Sequence, residues 1–185
     1  MSVLRLVKKF LLLLFFSWGS VMAQQVIETN AICYLELPMS EITVNDGLSQ
    51  GMVSCFLKDG KGYLWIGTKD GLNRYDGYGF KVLRMSETDS NTLVGNYIVA
   101  LYEDKEGMIW VGTMDNGITR YNPATGKFMS LSEAERINDQ LGSKSIRRIS
   151  GDGNGNICVG NSKGIDILKP EKKNFREYKV YCSAS

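Results

Sequence analysis

The chain has 185 residues, enough for one ordinary domain or two small ones. Hydrophobic residues at 43% and charged residues at 23% give a globular balance, and 20 glycines against 3 prolines favour a β-rich chain with many tight turns. There is no histidine, which excludes Ser-His-Asp and Cys-His nucleophilic sites, His-liganded zinc and a phospho-accepting histidine within this chain.

Residues 1–23 read as an export signal. Arg5, Lys8 and Lys9 precede an apolar run from Phe10 to Phe16 that continues through Trp18. Val21-Met22-Ala23 then supplies the small or aliphatic residues that a signal peptidase reads. The run is shorter than the roughly 20 residues that cross a bilayer, which disfavours the alternative of an uncleaved anchor. Cys33, the nearest cysteine, has no Leu-x-x-Cys lipoprotein context. The mature chain is expected to begin at Gln24 and to be periplasmic, with no membrane span beyond the signal. Cleavage removes three bases and no acid, so 22 basic against 20 acidic residues become 19 against 20, a net −1. Only short basic pairs such as Arg147-Arg148 remain, so nucleic acid is not an expected partner.

A lead-in over residues 24–47 precedes an internal repeat. The first copy, over 48–92, carries Asp59-Gly60-Lys61-Gly62, then Leu64-Trp65-Ile66-Gly67-Thr68 and Gly71-Leu72-Asn73-Arg74-Tyr75-Asp76. The second, over 93–137, carries Asp104-Lys105-Glu106-Gly107, then Ile109-Trp110-Val111-Gly112-Thr113 and Gly117-Ile118-Thr119-Arg120-Tyr121. The third, over 138–185, is degenerate: Asp152-Gly153-Asn154-Gly155, then Ile157-Cys158-Val159-Gly160-Asn161 and Gly164-Ile165-Asp166-Ile167-Leu168. Trp65 and Trp110 are 45 residues apart, and Cys158 follows 48 later. That period, with short strands and glycine turns, predicts four-stranded propeller blades.

Each blade reads strand by strand. First strands are expected around Val53 and Phe56, Ile98 and Leu101, and Ile146 and Ile149. Asp59, Asp104 and Asp152 open tight turns that Gly62, Gly107 and Gly155 close in the left-handed conformation. The second strands are apolar on both faces, as a strand between two blades must be. Trp65 and Trp110 offer either sugar-stacking platforms or inter-blade core, and recurrence at one position favours core. Gly67, Gly112 and Gly160 allow close approach beside those rings. Third strands start at Gly71, Gly117 and Gly164. Arg74 beside Tyr75, and Arg120 beside Tyr121, could hold a carboxylate or a sugar, but a structural cation–π role is favoured. Fourth strands are anchored at Phe80, Phe128 and Phe175.

Cys33, Cys55, Cys158 and Cys182 contain no C-x-x-C pair, so no metal or cofactor is expected. A disulfide between two of them is one reading and small buried side chains the other. Ala100 and Arg148 occupy the position of Cys55 in the other copies, which favours packing there.

Gly47-Leu48-Ser49, the LWIGT…GLNRYDG run and Ile109-Trp110-Val111-Gly112-Thr113 resemble the two-component regulator propeller repeat. The resemblance implies an exported sensor region of a hybrid two-component system, built from a pair of seven-bladed propellers, a β-sandwich, a membrane helix and a cytoplasmic kinase. It covers roughly residues 41–180. Three blades do not close a ring, so the chain reads as the N-terminal fragment of such a sensor, non-catalytic, with an oligosaccharide as the ligand of the full-length protein. Glu41-Ile42-Thr43-Val44 would be a strand completing the last blade of the full ring, and partners would be further blades or another protomer. Second-strand residues such as Tyr63, Trp65 and Ile66 would lie bare at the open ends, driving association. The alternative is part of a propeller lyase or glycosidase, which needs two carboxylates facing one pocket. Here the acids fall mainly in hairpin turns. N-terminal sequencing of the exported product should give a start near Gln24, and an intact Met1 start in membranes would reject cleavage.

Overall fold

The computed structural model describes residues 41–170 and 178–182. The expected export signal, Cys33 and Phe175 lie outside the described residues. Twelve described strands form three separate four-stranded antiparallel sheets. The first contains β1 (Val53–Lys58), β2 (Leu64–Thr68), β3 (Gly71–Tyr75) and β4 (Phe80–Leu83). The second contains β5 (Ile98–Glu103), β6 (Ile109–Thr113), β7 (Ile118–Asn122) and β8 (Lys127–Phe128). The third contains β9 (Ile146–Gly151), β10 (Ile157–Asn161), β11 (Gly164–Pro170) and β12 (Tyr178–Cys182). Each sheet is a simple meander, and β5 packs against both β1 and β9. The fold is an all-β partial β-propeller of three blades.

Strand alternation gives every blade two working faces. The forward face meets the next blade in sequence; the rear face meets the preceding one. Trp65 and Leu72 go forward and cluster with Ile98, Ile109, Val111 and Tyr121 of the second blade. Trp110 and Ile118 repeat the arrangement against Ile146, Ile149, Val159 and Leu168 of the third. Both indoles are fully buried. Trp65 also meets the ring of Tyr121 edge-on, with centroids 5.5 Å apart.

Two glycines permit this close approach. A Cβ at Gly67 would lie 2.8 Å from Ile98 Cγ2, and one at Gly112 would lie 2.7 Å from Ile146 Cγ2. The first residue of each following inner strand therefore drops into a slot that only glycine leaves open. Register shifts between Val53 and Cys55, and between Ile98 and Ala100, let one inner strand serve both faces: Ile98 packs rearward while Ala100 packs forward.

Three expectations change. Glu41–Val44 is not a strand: Val44–Asp46 is a 3-10 turn, in which Asp46 accepts the Thr43 N–H at 2.8 Å and Thr43 Oγ1 accepts from Asn45 at 3.2 Å. This reciprocal cap satisfies the backbone locally and competes with strand pairing. Trp65 and Ile66 are buried rather than bare. Trp65 faces the second blade, while Ile66 shares a rear face that the entering chain crosses, with Leu48 buried and Ser49 bonded to Asn73. Finally, helix α1 (Leu131–Asn138) follows the second blade. Its signal was Ser130-Leu131-Ser132-Glu133, a helix-start pattern, and Ser130 Oγ accepts from the Glu133 N–H. Asn138 then receives the Ile118 N–H at 2.8 Å and donates to its carbonyl at 3.0 Å.

Truncating a fully buried indole at a blade joint leaves a large cavity. Trp110→Ala should cost on the order of 3–5 kcal/mol in a urea or thermal melt; a loss below about 1 kcal/mol would show that the joint does not depend on it.

Candidate functional site

The recurring residues form three devices, and all three are structural. The first is a clasp between the first turn of a blade and its second strand. Asp59 Oδ1 accepts the N–H groups of Lys61 and Tyr63 at 3.0 and 2.9 Å, while Oδ2 accepts Trp65 Nε1 at 2.8 Å. Asp104 makes the same set with Glu106, Met108 and Trp110 at 3.1, 2.9 and 2.8 Å. Gly62, Gly107 and Gly155 close these turns at φ of 92°, 73° and 94°, a conformation that favours glycine.

The third blade keeps the turn and loses the indole. Asp152 accepts from Asn154 N at 2.7 Å, and the Asn156 amide, at 2.5 Å, takes the oxygen that a tryptophan holds elsewhere. The Asn154 N–H and the Asn156 amide hold the Asp152 carboxyl below the usual carboxylate range.

The second device was not anticipated. Asn73, Thr119 and Asp166 share one position on the third strand, and all are buried. Asn73 Oδ1 accepts from Ser49 N at 2.9 Å, and Asp166 Oδ2 accepts from Gly142 N at the same distance. Each fastens the segment entering its own blade just after a buried leucine, Leu48 or Leu141. A polar residue recurring inside an apolar strand was the available signal. Thr119 is the exception, its buried hydroxyl having no hydrogen-bond partner.

The third device is the arginine pair. Arg74 lies 4.6 Å over the Tyr63 ring and Arg120 5.4 Å over Trp110, so both arginines pack on aromatic neighbours as the sequence favoured. Tyr75 packs on Phe80 and Tyr121 on Phe128, each pair with centroids 4.8 Å apart.

Three pockets occur among the described residues: one of about 540 Å³ whose lining includes Glu106, Arg120 and Glu133, one of about 360 Å³ beside α1, and a groove of about 430 Å³ along the three inner strands. Ser54, Phe56, Val99, Arg147 and Arg148 are among its lining residues, none of which is an acid. Ser54 Oγ lies within hydrogen-bond reach of the carbonyls of Gly67 and Ile98, and its single O–H can donate to either, at the seam of two blades. Cys55 also lines it, and burial pushes its thiol up to about 11, so it stays protonated and unreactive at neutral pH. Cys55 and Cys158 are free thiols, and no cluster of metal-ligating side chains occurs among the described residues. The groove thus offers an aromatic face, two guanidinium groups and hydroxyl and backbone polar atoms: a binding surface without a general acid or base.

Residues 47–70 and 92–115 match the family "Two component regulator propeller". These two segments are similar to two-component regulator propeller repeats. Each match runs from the entry segment through the Asp–Trp clasp to the end of the second strand. A further relative is Histidine kinase P4 of Formosa agariphila, 48% identical over 48 residues, which are 26% of this chain and 4% of that protein. Among solved structures, the extracellular domain of the hybrid two component system BT3049 from B. thetaiotaomicron aligns with a TM-score of 0.48 at 19% identity, over 77% of this chain and 26% of that one. The extracellular domain of the one component system BT4673 from the same organism aligns at 0.43 and 20% identity, over 75% and 26%. The chain therefore spans only a small part of each. No helix among the described residues is long and apolar enough to cross a membrane.

If the clasp is structural, its members should differ by burial. Asp104→Ala deprives the buried Trp110 indole of its carboxylate partner and should cost about 2–3 kcal/mol. Asp152→Ala, on an exposed turn, should lower the melting temperature clearly less. Equal losses in chemical denaturation would contradict this account.

Proposed function

We propose that this chain is the sensing part of an exported two-component regulator, that it is non-catalytic, and that the inner-strand groove contributes to recognition of an oligosaccharide in the full-length protein. One observation carries the reading: the two matched repeats build a blade joint whose acids are engaged by indoles and backbone, leaving a groove with aromatic and guanidinium groups and no carboxylate. Phe56 supplies a ring face for a sugar, and the exposed Arg147 and Arg148 supply guanidinium donors for hydroxyl or carboxylate groups. The basic, apolar and small-residue order of residues 1–23 supports export, and the repeat match supports a role in signal transduction. A propeller lyase or glycosidase would need paired acids at such a groove.

Three blades wall a ligand on one side, so affinity should be weak, with a Kd in the millimolar range or about −4 kcal/mol. Saturation-transfer NMR of the chain against a panel of neutral and acidic oligosaccharides should show binding that Arg148→Ala abolishes. Absence of any binding across the panel, or appearance of cleaved glycan on prolonged incubation, would refute the proposal.

A further inference from the structure

The second blade has a described neighbour on each side, and the cleft of about 360 Å³ beside α1 is walled by its surroundings. Three stretches line it: residues 85–94 between the first and second blades, the Asp115-Asn116 turn between β6 and β7, and α1. The walls are fastened from within. Thr92 Oγ1 accepts the Ser86 N–H at 2.6 Å, and Asn138 of α1 is bonded to Ile118. Met85 and Leu131 face each other in chemistry across the cleft, 40% and 37% exposed. Each wall also brings one acid: Glu87, Asp115 and Glu135. All three are exposed, and among the described residues none has a side-chain hydrogen bond or ion pair. Lys144, the one basic residue in the lining, is held by Asp139 at 2.8 Å. The cleft therefore combines apolar side chains with a surplus of negative charge that the fold itself does not use.

The arrangement selects among cations. A divalent metal ion needs several oxygen ligands converging on one point. No group of three acids close enough to hold a metal occurs among the described residues, so these carboxylates cannot share one compact ion. An extended cation meets them separately: ammonium groups pair with carboxylates of different walls while the methylene chain between them covers Met85 and Leu131. A protein partner would need an apolar surface running well beyond the cleft. Of the exposed large hydrophobic side chains among the described residues, only Met85 and Leu131 border it. The volume instead falls at the lower end of small-molecule clefts, about 300–1,000 Å³. We infer that this cleft binds a short aliphatic polyamine. The site is separate from the inner-strand groove, whose charged lining residues are arginines, and the inference does not rest on the ligand proposed there.

Spermidine titrated into the full 185-residue chain should give saturable amide NMR shifts confined to residues 85–94, 115–116 and 131–138. Binding should weaken as ionic strength rises, because exposed charge pairs are screened. Hexanediol, which keeps the methylene chain and lacks the ammonium groups, should not reproduce the shifts. Glu135→Gln should weaken binding about three-fold, the scale of one exposed ion pair. Glu87→Gln/Asp115→Asn/Glu135→Gln should remove saturable binding and leave the melting temperature unchanged, since these side chains hold nothing else in place. If the triple variant does not fold, the single variant and the salt dependence decide the matter. Four results would overturn the inference: no saturable shifts with spermidine, including the case where only a lysine-rich peptide binds; equal shifts with hexanediol; tighter binding of calcium than of spermidine at the same residues; or shifts spread equally over other acidic turns such as those of Asp76 and Asp152.

Discussion

The hydrogen bond from a buried indole to an aspartate six residues earlier is the constraint on which the rest of this fold depends. Asp59 and Asp104 each use one oxygen to close a turn and the other to fix a tryptophan. The indole is then held in one orientation, edge toward its own turn and body toward the next blade. A buried carboxylate and a buried N–H each satisfy the other, so neither carries the penalty of a lost partner. Local turn chemistry and long-range blade packing are thereby coupled through a single side-chain pair. In the third blade the coupling is absent. Asn156 satisfies the Asp152 oxygen within the turn, and Cys158 leaves the forward face lightly filled.

Around this clasp the polar groups of each blade are assigned to positions rather than to chemistry. Asn73 and Asp166 fasten the entering chain, Arg74 and Arg120 cover aromatic rings, and Asn138 of α1 completes the hydrogen bonding of Ile118. Among the described residues the buried acids are Asp59, Asp104 and Asp166, and each is engaged by a backbone N–H or an indole. The inner strands, by contrast, hold Arg147 and Arg148 at the surface, and the contents of the groove differ from blade to blade. The scaffold is repeated while the groove is not, the separation expected where a common framework presents a variable binding surface.

The joint also explains why substitutions at equivalent positions have unequal consequences. Gly67 and Gly112 are slots already filled by isoleucine, so any side chain there must displace packed atoms. Gly160 has the same place in its strand and an open space before it. Burial, rather than residue type, separates Phe56 from Ile149 and Ile165 from Ile118. In a repeat architecture this is natural, because much of each unit's stability comes from its neighbours.

By itself the sequence determined the blade count, the strand order and the place of every turn aspartate, because a period of 45–48 residues leaves local signals that do not depend on neighbours. Tryptophan at a recurring strand position, glycine two residues later and Asp-x-x-Gly turns each carry their own physical reason. The sequence also favoured structural roles for the arginines and for Cys55, since a position that varies among Cys, Ala and Arg does not hold a ligand. Only the tertiary structure decided which face each residue serves. Alternation says that Trp65 and Ile66 point opposite ways; it does not say that the first meets a blade and the second an entering chain. It likewise decided that Thr43 and Asp46 cap one another instead of pairing in a strand, and that Ser130 starts a helix, since in both cases a short polar side chain chose between competing local partners. The buried roles of Asn73 and Asp166 belong to the same class. A polar residue in a strand becomes legible only when the backbone it fastens, 24 residues away, is brought beside it.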